Sequence, residues 1–122
     1  MKILFIDDLE FFLKAIKEGF FKDKDNVVVA ECHSVDEAIT AIENAKPDIL
    51  FLDHSLTEGG NEGLEIAGRI KDKGIKIYST TSLYRVHKEY AKLGIEVIEK
   101  SFVPTRQFLE KIRLIINGDK AK

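Results

Sequence analysis

The chain has 122 residues, 44% of them hydrophobic and 33% charged, enough for one domain with a core of its own and too little for two. Its 19 basic and 21 acidic residues leave a net charge of -2 with no block of like charge, so the electrostatic footprint of a nucleic-acid or membrane-surface binder is missing. One cysteine, Cys32, excludes an internal disulfide, two aspartates interrupt the apolar start MKILFIDD before it reaches signal-peptide length, and no apolar run nears the ~18 residues of a membrane helix, so a soluble cytoplasmic protein is expected.

In chain order, a strand over 2–6 ends in Asp7-Asp8 and leads into a helix over 9–20, with Phe12, Leu13, Ile16 and Phe20 on one stripe. Asp8 is available as the N-cap of that helix. A second strand over 26–31 ends beside Cys32, which reads as a small core residue. Ser34 followed by Glu37 makes a capping box for a helix over 35–45, whose apolar stripe is Val35, Ala38, Ile39 and Ile42, and Pro47 marks its exit.

The third strand, 48–52, is nearly continuous in apolar residues and runs straight into Asp53 and the loop HSLTEGGNEG. Helices over 64–71, 83–93 and 105–116 alternate with strands over 75–79 and 95–99, and Gly74, Gly94 and Gly118 stand just past the three helix ends, where a left-handed residue is usual. The fourth strand ends in Ser79-Thr80-Thr81-Ser82 and the fifth in Lys100. Phe5, Phe11, Phe12, Phe20 and Phe21 are most simply core and helix-packing residues. A single domain over 1–117 with a short tail over 118–122 is expected.

Five βα units with right-handed crossovers make an α/β three-layer sandwich of the doubly wound, flavodoxin-like kind, with a parallel sheet in the order 2-1-3-4-5. Ligands of such sheets bind beyond the carboxyl ends of the strands. Asp7, Asp8, Asp53, the hydroxyl cluster and Lys100 all fall on that edge. Three crowded carboxylates want a cation, and hard oxygen ligands with open positions suit Mg²⁺ better than zinc or a closed calcium cage. A metal, a nucleophilic carboxylate, a lysine and a hydroxyl are the parts for phosphoryl transfer onto an aspartate. His54 adjoins Asp53, but strand neighbours point to opposite faces, so it is expected to pack or to face solvent away from the pocket. His33, His54 and His87 lack metal-ligand spacing.

The segments ILFIDD, SVDEAITAIENAKPDILFLD, GLEIAGRI and EVIEK resemble those of response-regulator receiver domains, and the likeness covers nearly the whole chain. The resemblance implies that Asp53 accepts a phosphoryl group, that Asp7, Asp8, Asp53 and the Ser55 backbone carbonyl hold Mg²⁺, that Lys100 pairs with the phosphoryl oxygens, and that Thr80 or Thr81 is a switch hydroxyl. It implies a histidine kinase or histidine phosphotransfer protein as donor and phosphorylation-dependent binding of a downstream protein. It also implies a possible homodimer through helix 4, strand 5 and helix 5.

Three departures stand out. The loop after Asp53 is about two residues longer than usual and carries Gly59-Gly60 where proline is common, which predicts a floppier rim. Ser101 replaces the proline that usually fixes the lysine, and Val97 replaces the usual aromatic switch residue, leaving Tyr84 and Tyr90 as nearby aromatics. The reading is a stand-alone phosphoacceptor. Its rival is a phosphorylation-independent pseudo-receiver serving as an adaptor, while a hydrolase or flavin carrier lacks the G-x-G-x-x-G, P-loop and Ser-His patterns it would need.

Overall fold

The computed structural model describes residues 1–101 and 103–121, and among these the apolar runs form the parallel strands β1 (Ile3–Asp7), β2 (Val27–Glu31), β3 (Ile49–Asp53), β4 (Lys76–Thr81) and β5 (Glu96–Glu99). They pair in the order β2-β1-β3-β4-β5, as expected for this α/β sandwich. All five strands begin one residue later than the apolar pattern suggests, and β1, β3 and β4 run further, taking in Asp7, Asp53, Thr80 and Thr81. A ladder needs only backbone N–H and C=O groups, so pairing continues past the first polar side chain: Asp7 sits opposite Glu31, Asp53 opposite Thr80 and Thr81 opposite Glu99.

The helices are α1 (Glu10–Phe20), α2 (Val35–Ala45), α3 (Glu62–Ile70), α4 (His87–Lys92) and α5 (Arg106–Ala121). Alternate strand residues feed two cores. On one face Ile3, Phe5, Ile49, Phe51, Tyr78 and Ile98 meet α1 and α5, with Phe51 stacked between Phe5 at 4.7 Å and Tyr78 at 5.5 Å. On the other face Leu4, Ile6, Leu50, Leu52 and Ile77 meet α2, α3 and α4. Ile49, Leu50, Phe51 and Leu52 are all at most 1% exposed, each contributing roughly 1.5–3 kcal/mol of burial, so β3 is the axis of the domain.

Ser34 caps α2 by accepting the Glu37 N–H at 3.1 Å, while the Glu37 carboxylate accepts from His33 N–H at 2.7 Å, one residue further back than a capping box requires. Several expectations are corrected. Phe11 and Phe20 are exposed, at 68% and 40%, because the buried stripe of α1 is Phe12, Leu13 and Ile16. Gly74 and Gly94 adopt the left-handed conformation, but Gly118 lies inside α5, which continues to Ala121. The fourth helix is split into a single 3-10 turn, Tyr84–Val86, and the short α4. No described helix is long and apolar enough to cross a membrane.

Candidate functional site

Residues in register on parallel strands share a face, so Asp7, Asp53 and Thr80 project on the α1/α5 side, directly beyond the aromatic row of Phe5, Phe51 and Tyr78. Lys100, just past β5, joins them. Its Nζ donates to Asp7 Oδ2 at 2.5 Å and lies 3.2 Å from Asp53 Oδ1. The ammonium also stands 4.8 Å from the centre of the Phe12 ring, a cation–π contact from α1. The Lys100–Ser101 bond is trans. Lys100 is held in place by two carboxylates and a ring, so its pose is fixed without the proline that Ser101 replaces.

Asp7 is 2% exposed and Asp53 5%, and carboxylate oxygens of Asp7, Asp8 and Asp53 all lie within 4.8 Å of one another. Burial pushes the Asp53 carboxyl up to about 8, the Asp7 charge adds to the rise, and Lys100 offsets only part of it. Asp7 is raised for the same first reason, burial, against the pull of Lys100 and of the Leu9 N–H that donates to its Oδ1 at 3.0 Å. That N–H bond means Asp7, not Asp8, braces the start of α1, which leaves Asp8 half-buried at the mouth of the cluster. One ammonium faces three carboxylates. The shortfall of positive charge and the all-oxygen donor set fit a small hard dication.

Of the two threonines left open by the sequence, Thr80 lies on Asp53's face and beside it in register. Thr81 points the other way, and its Oγ1 accepts the Leu83 N–H at 3.1 Å, holding the chain as it leaves β4. Ser79 shares Thr81's side of the sheet, fully buried and with no hydrogen bond of good geometry to a described residue. Ser55, the first loop residue beyond His54, donates its hydroxyl to the Gly60 carbonyl at 2.8 Å.

The loop after Asp53 is braced where a floppy rim was expected. Glu62, at the start of α3, folds back so that its Oε1 accepts the Leu56 N–H at 2.9 Å and its other oxygen accepts the Thr57 hydroxyl, while Leu56 itself is 1% exposed. Glycine at 63 is required by a close approach: a Cβ there would stand 2.5 Å from Tyr90 Oη, 2.7 Å from the Asp53 carbonyl oxygen and 2.7 Å from His54 Cα. His54 is fully buried on the face opposite Asp53, bonded through Nδ1 to Tyr90 Oη at 2.8 Å and through Nε2 to Asn61 Oδ1 at 3.0 Å. Sequence reasoning turns His54 away from the pocket but misses this pairing with Tyr90, Asn61 and the Glu62 brace. The one signal for it is a histidine directly after an apolar strand, which burial obliges to find partners.

A family model described as response regulator receiver domain matches residues 3–113. The chemotaxis protein CheY of Listeria monocytogenes is 35% identical over 85 residues, 68% of this chain and 69% of that protein. Among solved structures, the response regulator TrrA of Thermotoga maritima, determined in complex with Mg²⁺ and BeF, superposes with a TM-score of 0.70 at 26% identity, covering 93% of this chain and 97% of that one. The chemotaxis response regulator CheY4 of Vibrio cholerae has the same fold, with a TM-score of 0.73 at 18% identity over 93% of this chain and 97% of its own. Strand order, an acidic cluster at the carboxyl edge and a family match over most of the length coincide, and the chain belongs to the response regulator receiver domain family of two-component systems.

Proposed function

We propose that residues 1–117 form a receiver unit that takes a phosphoryl group on Asp53 from a histidine kinase or histidine phosphotransfer protein in the cytoplasm. It then signals by binding a downstream protein. The observation that carries this reading is the buried Asp53 carboxylate flanked by Asp7, Asp8 and Lys100 on the α1/α5 face, with Thr80 next to it in register.

An Asp53 oxygen attacks phosphorus in line, forming the acyl phosphate as the bond from phosphorus to the donor's leaving atom breaks. Asp7, Asp8, Asp53 and the Ser55 carbonyl would hold Mg²⁺, which when bound would supply positive charge to the transferring oxygens. Lys100, already poised at 3.2 Å from Asp53, exchanges part of its hold on the carboxylates for the phosphoryl oxygens. The Thr80 hydroxyl then gains a charge-assisted hydrogen bond to the phosphoryl group, and the end of β4 moves with it. That displacement re-poses the surface of α4, β5 and α5, where a partner or a second copy docks.

The test is intact-mass spectrometry after incubation with acetyl phosphate, with and without Mg²⁺. One phosphoryl adduct is expected on wild type with Mg²⁺, none on Asp53→Asn and none when Mg²⁺ is chelated. Wild type that forms neither the adduct nor a complex with fluoroberyllate would sink the phosphoacceptor reading and leave a binding module.

A further inference from the structure

His54 lies between Asp53 and Ser55 in the chain, and each of its four polar groups reaches a different part of the domain. Its backbone N–H donates to the Thr80 carbonyl at 3.3 Å and its carbonyl accepts from Gly63 N–H, at the start of α3, at 2.8 Å. Its Nε2 meets Asn61, in the long β3–α3 loop, and its Nδ1 meets Tyr90, in α4. Asn61 Oδ1 only accepts, so Nε2 carries the proton and Nδ1 takes one from the Tyr90 hydroxyl. Both ring nitrogens are satisfied only while the loop and α4 keep their places.

The junction has no slack. His54 and Tyr90 are fully buried and meet edge to face with ring centroids 5.6 Å apart, and Gly63 leaves no room for even a methyl group between Tyr90 and the Asp53 carbonyl. Tyr90 also lies beside the hydroxyl of Ser79, the residue before Thr80, which is near enough to interact with the phenol though short of good hydrogen-bond geometry. A shift of β4 at Thr80 therefore moves the acceptor of the His54 N–H and the Ser79 hydroxyl together. Both displacements reach α4 through one side chain, Tyr90. Val97, on β5, offers no hydroxyl or ring for the same task.

Resting on the phosphoacceptor reading above, we infer that His54 is a positioning residue for the acceptor site and that its hydrogen bond to Tyr90 is the route by which the state of Asp53 is transmitted to α4. Coupling of this kind is reciprocal: α4 held in the activated pose raises the affinity of the site for phosphoryl-like ligands by the same factor. A bare packing role for Tyr90 would alter stability and leave the response of α4 intact.

The experiment compares backbone amide NMR spectra of wild type, Tyr90→Phe, His54→Leu, the double variant and His54→Asn, each titrated with Mg²⁺ and fluoroberyllate. Wild type is expected to show shifts at Ser55, Thr80 and across 86–93. In Tyr90→Phe the shifts at Ser55 and Thr80 persist, those across 86–93 collapse, and fluoroberyllate binds roughly five- to tenfold more weakly, the lower end of typical coupling. The double variant is expected to be no weaker than either single one, since both delete one interaction. His54→Asn, whose amide oxygen can stand in for Nδ1, restores the shifts across 86–93. Should Tyr90→Phe not fold, His54→Leu set against His54→Asn carries the same contrast. Wild-type affinity and undiminished shifts across 86–93 in Tyr90→Phe or His54→Leu overturn the inference alone. Wild type that binds no fluoroberyllate overturns the phosphoacceptor reading and this inference with it.

Discussion

At the carboxyl edge of the sheet the same strands carry polar side chains on both faces, and the two faces satisfy them by different means. On the α1/α5 face Asp7, Asp53 and Lys100 are ionisable and buried, and one ammonium does not balance the acids around it. On the opposite face His54, Tyr90 and Asn61 are neutral and joined by hydrogen bonds at 2.8 and 3.0 Å. Alternation along a strand places these environments one residue apart, as Asp53 and His54 demonstrate. The first face stores an electrostatic deficit that a ligand relieves, and the second is a rigid support that fixes where the first is presented.

The largest blow to this comparison falls on the rigid face. Gly63→Ala forces a methyl group onto the Asp53 carbonyl and His54 Cα, backbone atoms that cannot swing aside. A loss of about 3 kcal/mol in urea unfolding is expected, the upper part of the range for overpacking. A loss below about 0.5 kcal/mol, the size of an ordinary surface change, would mean the junction yields and the support is not rigid.

The charged face gives a smaller effect of the opposite sign. With its folded pKa raised to about 8, Asp53 keeps its proton in the native state while the unfolded chain has released it. Stability from this group is full below about pH 4, the ordinary carboxylate value, and is lost as pH rises toward 8. In Mg²⁺-free buffer Asp53→Asn is therefore expected to be more stable than wild type by about 1–2 kcal/mol at pH 9 and by little at pH 4, after allowing for the lost pairing with Lys100. Thermal melts of both proteins across that range measure it. A stabilisation that grows toward acid pH would reverse the sign and show the carboxylate to be well compensated by Lys100. Saturating Mg²⁺ is expected to erase the advantage, since the dication removes the deficit that the amide relieves.

Much of this molecule could be read before its coordinates. Apolar runs alternating with helical stripes specify the sheet order, because parallel strands with right-handed crossovers leave few arrangements. Asp7, Asp53 and Lys100 were legible as a group because chain ends of parallel strands share an edge. Polar residues at strand ends were harder. Thr80 and Thr81 could not be told apart until pairing showed that β4 runs through both, which puts Thr80 on Asp53's face and Thr81 on the other. The bracing of the long loop by Glu62 and the partnership of His54 with Tyr90, 36 residues away, depend on side-chain reach in three dimensions, which no spacing rule encodes.

Ser79 supplies the smallest and most discriminating test. Its hydroxyl is buried among the neutral groups of the support face beside Tyr90, near enough to interact with the phenol yet short of good hydrogen-bond geometry to any described residue. A buried hydroxyl without a partner costs about 1–3 kcal/mol of desolvation, partly offset by the contacts its atoms make, so Ser79→Ala should raise stability by up to about 1 kcal/mol. Urea unfolding of the Mg²⁺-free protein reads it directly. A loss of similar size would mean that Ser79 bonds to Tyr90 for much of the time, so that the neutral face holds a second arrangement of its hydroxyls. The support would then be a two-position element, and the His54–Tyr90 bond would be one of its positions.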